Sequence, residues 1–267
     1  MTMFSLHGKT ALVTGAGGLL GRHHCVALAE AGARVIAADL HLGNAQDALS
    51  ELEGNHLAIS LDVSDDVNVK AIVADLWNDV GPLDILVNNA AMNDMVENPT
   101  LATDMSAFEN YPADLFRRVL DVNVTGMFLL CQAIAPRMAN RGLGNIINIA
   151  STYGVVAPDQ RIYQLPDGSQ SFYKSAAYPV SKGAVIMLTQ FLAAYYGAMG
   201  IRVNTLSPGG VENGQTQTFI DNYTYRTPLG RMAKPTDYKG ALIFLASDAS
   251  GYLTGHNLLV DGGWTTW

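Results

Sequence analysis

A glycine-rich turn between two short apolar runs limits the folding choices of this chain more than any other feature. Residues 9–14 read as a short buried strand, and Gly15, Gly17, Gly18 and Gly21 follow closely. A helical stretch begins near Leu19 and runs to about Glu30, with Gly32 as its C-terminal stop. Residues 34–39 form a second apolar strand that ends in an acid, Asp39. Strand, glycine turn, helix, strand and terminal carboxylate in this order describe a dinucleotide-binding unit. The glycines let the backbone approach a pyrophosphate, and free N–H groups at the helix start can face it. Asp39, 24 positions after Gly15, is placed to accept hydrogen bonds from the adenosine ribose. Taken without their context, the glycines would be an ordinary tight turn.

The alternation continues downstream. Residues 56–61 read as a strand leading to Asp62-Val63, and 65–79 as a helix with Val69, Ile72, Val73 and Leu76 at helical spacing. A strand over 83–87 runs into Asn88-Asn89-Ala90-Ala91, and a loop over 92–111 follows. A long helix is predicted over 112–140, with Pro112 suited to its first turn. Strands at 145–149 and 202–206 flank a helix carrying Tyr178 and Lys182; a helix at 235–247 and a strand near 257–260 close the chain. Near-continuous apolar strands alternating with helices predict an α/β fold. It should be a Rossmann-type doubly wound parallel sheet with helices on both faces, in a single domain over residues 1–267.

With 267 residues, 49% of them hydrophobic, a large core is available. A net charge of −8 with dispersed basic residues argues against nucleic acid or an anionic membrane as partner. No run is read as a membrane span and no signal pattern is read at the start, so the expected location is cytoplasmic. Cys25 and Cys131 lack metal or redox spacing and are expected to be buried free thiols. No metal site is expected, and His23-His24 beside Arg22 reads as a solvated helix face.

Tyr178 and Lys182 stand four apart, so on a helix they share a face. A free phenol has a pKa of about 10. A neighbouring cation lowers it towards a usable general acid or base. The alternative is a pair of exposed helix residues. Ligands of such a sheet bind beyond the carboxyl ends of its strands. There lie the glycine turn, Asp39, Asp62-Val63, Asn88 to Ala91, Ser151 and Pro208-Gly209-Gly210-Val211. Ser151 is either a turn residue or a donor to a carbonyl or alkoxide oxygen. Asn123, mid-helix where asparagine is unfavourable, is either a core residue bonding backbone or a water-holding member of a proton relay.

Thr14-Gly15 through Gly21, Asp62-Val63, Asn88-Asn89-Ala90, Asn123, Ser151, Tyr178-x-x-x-Lys182 and Pro208-Gly209 occur in one order. On these motifs the chain resembles the short-chain dehydrogenase/reductase family over essentially its full length. The resemblance implies hydride transfer between a secondary alcohol or carbonyl and a nicotinamide. Tyr178 would exchange the substrate hydroxyl proton and Ser151 would orient its oxygen. Lys182 would lower the tyrosine pKa and bind the nicotinamide ribose, with Asn123 anchoring a water chain. Cofactor contacts are expected from Gly15, Gly17, Gly18, Leu20, Gly21, Asp39, Leu40, Asp62, Val63, Asn89, Ala90, Ala91, Tyr178, Lys182, Pro208, Gly209 and Val211. Asp39, with no basic residue at Ala16, Leu40 or His41, favours NAD over NADP. Family members are commonly tetramers built through two long helices. Here Val180, Val185, Ile186, Phe191 and Leu192 place apolar residues on more than one face of the second, which needs a further surface to bury, and the resemblance implies a homotetramer.

Three departures stand out. Leu19 and Ala91 occupy positions where the family usually has glycine, and Ser151 and Tyr178 lie 27 positions apart, roughly twice the usual gap. The insertion, about 155–172, must emerge beside the active site. It is a surface excursion or a substrate-contacting lid, and Tyr153, Gln160, Arg161 and Asn213 are the expected small-molecule substrate contacts. With the neighbouring segments 108–112 and 207–215, it resembles a bacterial subgroup linked to sugar and acidic-sugar metabolism, including flagellin glycan modification. The lid's polar residues Gln160, Arg161, Gln164, Asp167, Ser169 and Gln170 argue against an apolar substrate. Alternatives are a ketoacyl thioester, steroid or simple secondary alcohol as substrate, or a non-catalytic dinucleotide sensor. The sensor would be expected to have lost Tyr178 or Lys182.

Overall fold

The computed structural model describes residues 3–94 and 103–267. Its sheet has seven parallel strands: β1 (Thr10–Thr14), β2 (Arg34–Asp39), β3 (Leu57–Ser60), β4 (Ile85–Asn88), β5 (Gly144–Ile149), β6 (Ile201–Pro208) and β7 (Asn257–Val260). Their spatial order is β3-β2-β1-β4-β5-β6-β7. The order reverses between β1 and β4, and the carboxyl ends of those two strands frame the crevice where such sheets bind ligands. The register places Val13 beside Val87, Asn88 beside Asn148 and Asn148 beside Thr205.

The connecting helices are α1 (Leu19–Glu30), α2 (Leu42–Leu49), α3 (Asp66–Asp79), α4 (Ala113–Arg141), α5 (Ala177–Tyr196), α6 (Gln217–Arg226) and α7 (Lys239–Ala246). They bury both faces of the sheet. Leu12, Leu86 and Ile146 point to one layer with Leu130, Ile134 and Val185, whereas their neighbours Val13, Val87 and Ile147 point to the other with Leu28, Leu242 and Leu245. This period of two follows from strand geometry. Burial of every residue in β4 and β5 explains the apolar runs Ile85-Leu86-Val87 and Ile146-Ile147. Helix α3 starts at Asp65, whose carboxylate accepts the Val67 and Asn68 amides. Helix α4 stops at Gly142 in the left-handed region, φ 66°.

The structure departs from the expectations at several places. Helices α2 and α6 were not anticipated. The former buries only Ala45 and Ala48, the latter only Tyr223, so neither carries a legible apolar stripe. The helix expected over 235–247 is divided into a 3₁₀ turn, Pro235–Tyr238, and α7. Part of the loop expected over 92–111 lies outside the described residues. Helix α4 is long and apolar enough, by length and composition alone, to cross a membrane, contrary to the reading that no such run exists. It packs as a core helix, with Leu130, Ile134 and Met138 fully buried beneath the sheet. His24 is not solvated: it is wholly buried with both ring nitrogens unpartnered among the described residues, and burial pushes its pKa down to about 4.

Candidate active site

A cleft of about 840 Å³ opens along the carboxyl ends of the strands. At its nucleotide end, Gly15 has φ +61°, and a Cβ there would stand 2.7 Å from the Ala90 Cα. A Cβ on Gly21 would stand 2.1 Å from the Gly15 carbonyl oxygen. Only glycine fits these two positions. Helix α1 begins at Gly18 with no side-chain cap, which leaves N–H groups available to an anion. The Asp39 carboxylate accepts the Gly17 amide at 3.0 Å and the His41 amide at 3.2 Å, so the turn and the end of β2 are tied together. Thr14 Oγ1 accepts the Asn89 and Ala90 amides, each at 3.1 Å. The Asn89 side chain donates to the Thr14 and Gly15 carbonyls, each at 3.0 Å. These residues fit a dinucleotide: a cradle that a methyl group would fill, at a helix start, with a carboxylate at its far end.

Of the expected cofactor residues, Gly15, Gly18, Leu20, Asp39, Asn89, Ala90, Ala91, Pro208, Gly209 and Val211 line the cleft, as do Tyr178 and Lys182. Gly17 and Gly21 shape the turn from behind. Leu40, Asp62 and Val63 do not line it. Leu40 is 56% exposed, Asp62 Oδ1 is engaged by the Ser64 amide and hydroxyl at 2.9 and 2.7 Å, and Val63 is buried against Gly126.

At the other end, Ser151 stands two residues past the end of β5 and accepts the Tyr153 amide at 3.2 Å. The turn Thr152–Gly154 packs on α5 so closely that a Cβ on Gly154 would lie 2.7 Å from the Lys182 carbonyl oxygen. Tyr178 sits in the first turn of α5. Lys182 is buried; its Nζ donates to the Ile149 carbonyl at 2.8 Å and lies 5.6 Å from the centre of the Tyr178 ring. Burial pushes its pKa down to about 8. The expectation that Lys182 lowers the tyrosine pKa is corrected here. Burial pushes Tyr178 up to about 12, opposed by a Ser151 hydrogen bond and reinforced by Tyr153 and Asp94. The ammonium lies over the ring.

Asn123 falls in a six-residue π-helical stretch of α4, Asp121–Gly126, a geometry often found at functional sites. It is fully buried and does not line the cleft. Its Oδ1 accepts the Met92 amide at 2.6 Å, and its Nδ2 donates to the Met92 carbonyl and Ser181 Oγ, each at 3.0 Å. These bonds make Asn123 a brace between α5 and the loop after β4.

The insertion is built into the protein. Tyr163 packs on Phe172 and on Phe219 of α6, with ring centres 4.8 and 5.3 Å apart, and Tyr223 stacks on Trp264 at 4.2 Å. Asp159 forms ion pairs with Arg161 and with Arg226 of α6, and they hold its carboxyl down at about 2. The Tyr153 hydroxyl stands 3.2 Å from that of Tyr163. Tyr153 and Asn213 line the cleft as expected; Gln160 and Arg161 do not. Arg161 is 78% exposed and turned onto Asp159. Gln160 instead clamps the backbone of Lys174: its Nε2 donates to the Lys174 carbonyl at 3.0 Å, and its Oε1 accepts the Lys174 amide at 2.9 Å. Facing the cleft are Ile162, Tyr163, Leu165 and Phe172 together with Gln164 and Ser171, while Asp167, Ser169 and Gln170 spend their polar groups on bonds within the insertion.

Of the cleft residues that escaped sequence reasoning, one is charged. Lys174 is buried, donates to Asn93 Oδ1, and holds its Nζ 4.6 Å from the centre of the Tyr178 ring. Burial pushes its pKa down to about 8 against the favourable field of Asp94. No motif marks it; its position emerges only when the insertion folds back. Among the described residues, no cluster of acids, histidines or cysteines suited to a metal ion occurs.

Comparison with known proteins joins these parts. A family model described as enoyl-(acyl carrier protein) reductase matches residues 15–265. The chain belongs to the short-chain dehydrogenase/reductase family. It is 36% identical to galactitol 2-dehydrogenase (L-tagatose-forming) of Cereibacter sphaeroides over 273 residues, 100% of this chain and 98% of the relative. A short-chain dehydrogenase from Leptospira borgpetersenii with bound NAD+ matches at TM-score 0.85 and 35% identity, covering 98% of this chain and 94% of that one. A gluconate 5-dehydrogenase from Burkholderia cenocepacia in complex with NADP and tartrate matches at TM-score 0.84 and 33% identity, covering 99% and 98%. The short-chain dehydrogenase/reductase described here is thus an oxidoreductase acting on CH–OH groups, with a nicotinamide-dinucleotide fold.

Proposed function

We propose that this short-chain dehydrogenase/reductase is an NAD-dependent dehydrogenase that oxidises a secondary alcohol of a sugar or sugar derivative. The observation that carries the reading is the convergence of Ser151, Tyr178 and Lys182 on the cleft that also holds the Gly15 turn and Asp39. NAD, when bound, supplies the hydride acceptor. Ser151 donates a hydrogen bond to the reacting oxygen, and Tyr178, once ionised to its phenolate, takes the proton released as the alcohol becomes a carbonyl; in the reverse direction its phenol gives that proton back. Lys182, anchored on the Ile149 carbonyl, presents a fixed cation beneath the phenol and offers donors to the nicotinamide ribose. Asn123 acts through position, by holding Met92 and Ser181.

Support for NAD comes from the charges lining the cleft. Asp39 stands at the adenosine end, and the cleft-lining cations, Lys174 and Lys182, both belong to the far end. A 2′-phosphate would meet a carboxylate with no compensating charge among the described residues of the lining. Support for a sugar derivative comes from relatives that act on galactitol and gluconate by name. A homotetramer is in keeping with the exposed apolar residues Phe128 on α4 and Met187, Phe191 and Tyr195 on α5. A cytoplasmic location is in keeping with two buried free thiols, Cys25 and Cys131, which have no disulfide partner. A second reading, an apolar secondary alcohol, is favoured by the lining of Ile162, Tyr163, Leu165 and Phe172. A panel of alditols, aldonates and apolar secondary alcohols, followed by nicotinamide absorbance with NAD and with NADP, separates the two. Turnover confined to apolar alcohols would replace the sugar reading.

A further inference from the structure

Lys174 is the cleft-lining ammonium for which the proposed chemistry has no task. A buried charge is costly unless it is paired and hydrogen-bonded. Asn93 Oδ1 takes one of the three N–H donors of Lys174 Nζ. The face of the Tyr178 ring, 4.6 Å away, offers a weaker cation–π contact. Among the described residues, the charged and titratable groups around it are Asp94, Tyr178 and, across the same ring, Lys182. Asp94 favours the ammonium through its field, but its Oδ2 accepts the Tyr111 hydroxyl at 2.7 Å and it does not line the cleft. The backbone around Lys174 is rigidly held. Gln160 bonds both its amide and its carbonyl, and Gln170 Nε2 in turn donates to the Gln160 carbonyl at 2.9 Å. The insertion therefore presents a preformed cation to the cleft.

We propose that Lys174 is a specificity residue that binds the carboxylate of an acidic sugar or related polyhydroxy acid, on a carbon within a few bonds of the one oxidised. The inference rests on the reading of the site given above, and it names the substrate class. Because Nζ lies over the ring whose hydroxyl meets the reacting oxygen, an anion on Lys174 and an alcohol on Tyr178 fall within one small molecule. A carboxylate gives the remaining donors charge-assisted hydrogen bonds and a full counter-charge. The hydroxymethyl group of a neutral polyol gives only a dipole. Most of the lysine is protonated at pH 7, given its pKa of about 8, so the cation is present when needed.

The test is calorimetric titration of tetronates to hexonates and their matching alditols into the NAD-saturated enzyme and into the enzyme alone. It uses the wild type, Lys174→Met and Lys174→Arg, with melting curves to confirm folding. Wild type should bind at least one aldonate about tenfold or more tighter than the matching alditol, equivalent to about 1.4 kcal/mol. Lys174→Met should erase that ratio and Lys174→Arg should retain most of it. In wild type the ratio should fall as pH rises above 8. Absence of any aldonate preference in wild type, or a preference that survives in Lys174→Met, overturns the proposal. An equal loss for aldonate and alditol also overturns it, because Lys174 would then act only through Tyr178. If Lys174→Met does not fold, the wild-type pH series and Lys174→Arg decide alone. Turnover of sugars without a Lys174-dependent preference would sink this inference and leave the dehydrogenase reading standing. A Lys174-dependent preference without turnover would do the reverse.

Discussion

Replacing Lys182 with methionine should make the protein more stable at neutral pH and much less active. The side chain is 2% exposed, and burial lowers its pKa from an ordinary 10.5 to about 8. Because the native value is the lower one, the unfolded chain binds more protons between those two pH values, and wild-type stability must rise with pH across that window. Below pH 8 the burial penalty is fully present, roughly 3 kcal/mol. Above 10.5 it is gone. Methionine keeps the volume and removes the charge, but leaves the Ile149 carbonyl without its 2.8 Å partner, a loss of about 1 kcal/mol. The variant should therefore gain about 2 kcal/mol at pH 7, an advantage that shrinks through pH 8 to 10.5 and ends as a small deficit. Urea unfolding of both proteins at matched concentration, at pH 7, 9 and 10.5, measures it. A stability difference that is constant with pH would refute the reasoning, since it would mean that the lysine carries no burial penalty.

Three further outcomes are expected. Asp39→Ser should lower NAD affinity and raise NADP affinity, each about tenfold by calorimetry, because it removes the carboxylate that repels a 2′-phosphate. An unchanged preference would mean that Asp39 does not set it. Arg161→Ala should leave kcat/KM for acidic and neutral substrates alike unchanged and alter stability by no more than about 0.5 kcal/mol, since the side chain is exposed and turned onto Asp159. A selective loss with acidic substrates would show that Arg161 reaches the cleft. Tyr163→Ala should cost about 3 kcal/mol or more and raise KM with little change in NAD affinity, because it empties the aromatic cluster joining the insertion to α6. A fully stable variant would show that the insertion is not anchored there.

The nucleotide half of the site was legible in the sequence because local chemistry dictates it. Gly15 needs a positive φ and Gly21 a close helix approach, and both needs leave glycine at readable positions. The strands were legible for a similar reason: burial on both sides selects the apolar runs Ile85-Leu86-Val87 in β4 and Ile146-Ile147 in β5. What escaped depends on packing between distant segments. The π-helical stretch around Asn123 has the same sequence pattern as an α-helix, and only the folded backbone over Asp121–Gly126 distinguishes it. The insertion's location beside the site could be deduced from Ser151 and Tyr178, but its inward face could not. Its polar residues drew attention as substrate contacts, whereas Gln160 and Gln170 spend their hydrogen bonds on the loop itself. Lys174 was passed over because a lysine in a polar segment is ordinarily solvated.

The central claim is that Tyr178 exchanges the proton of the reacting alcohol. Tyr178→Phe removes one hydroxyl from a ring that otherwise stays in contact with Lys174 and Lys182. Its turnover, set beside its NAD affinity by calorimetry, is the most direct measurement, made on the best substrate from the panel. The account predicts that kcat falls by about a hundredfold or more, with the dissociation constant for NAD changed less than about threefold. Turnover near the wild-type level would contradict it and move the acid/base role to another group in the cleft.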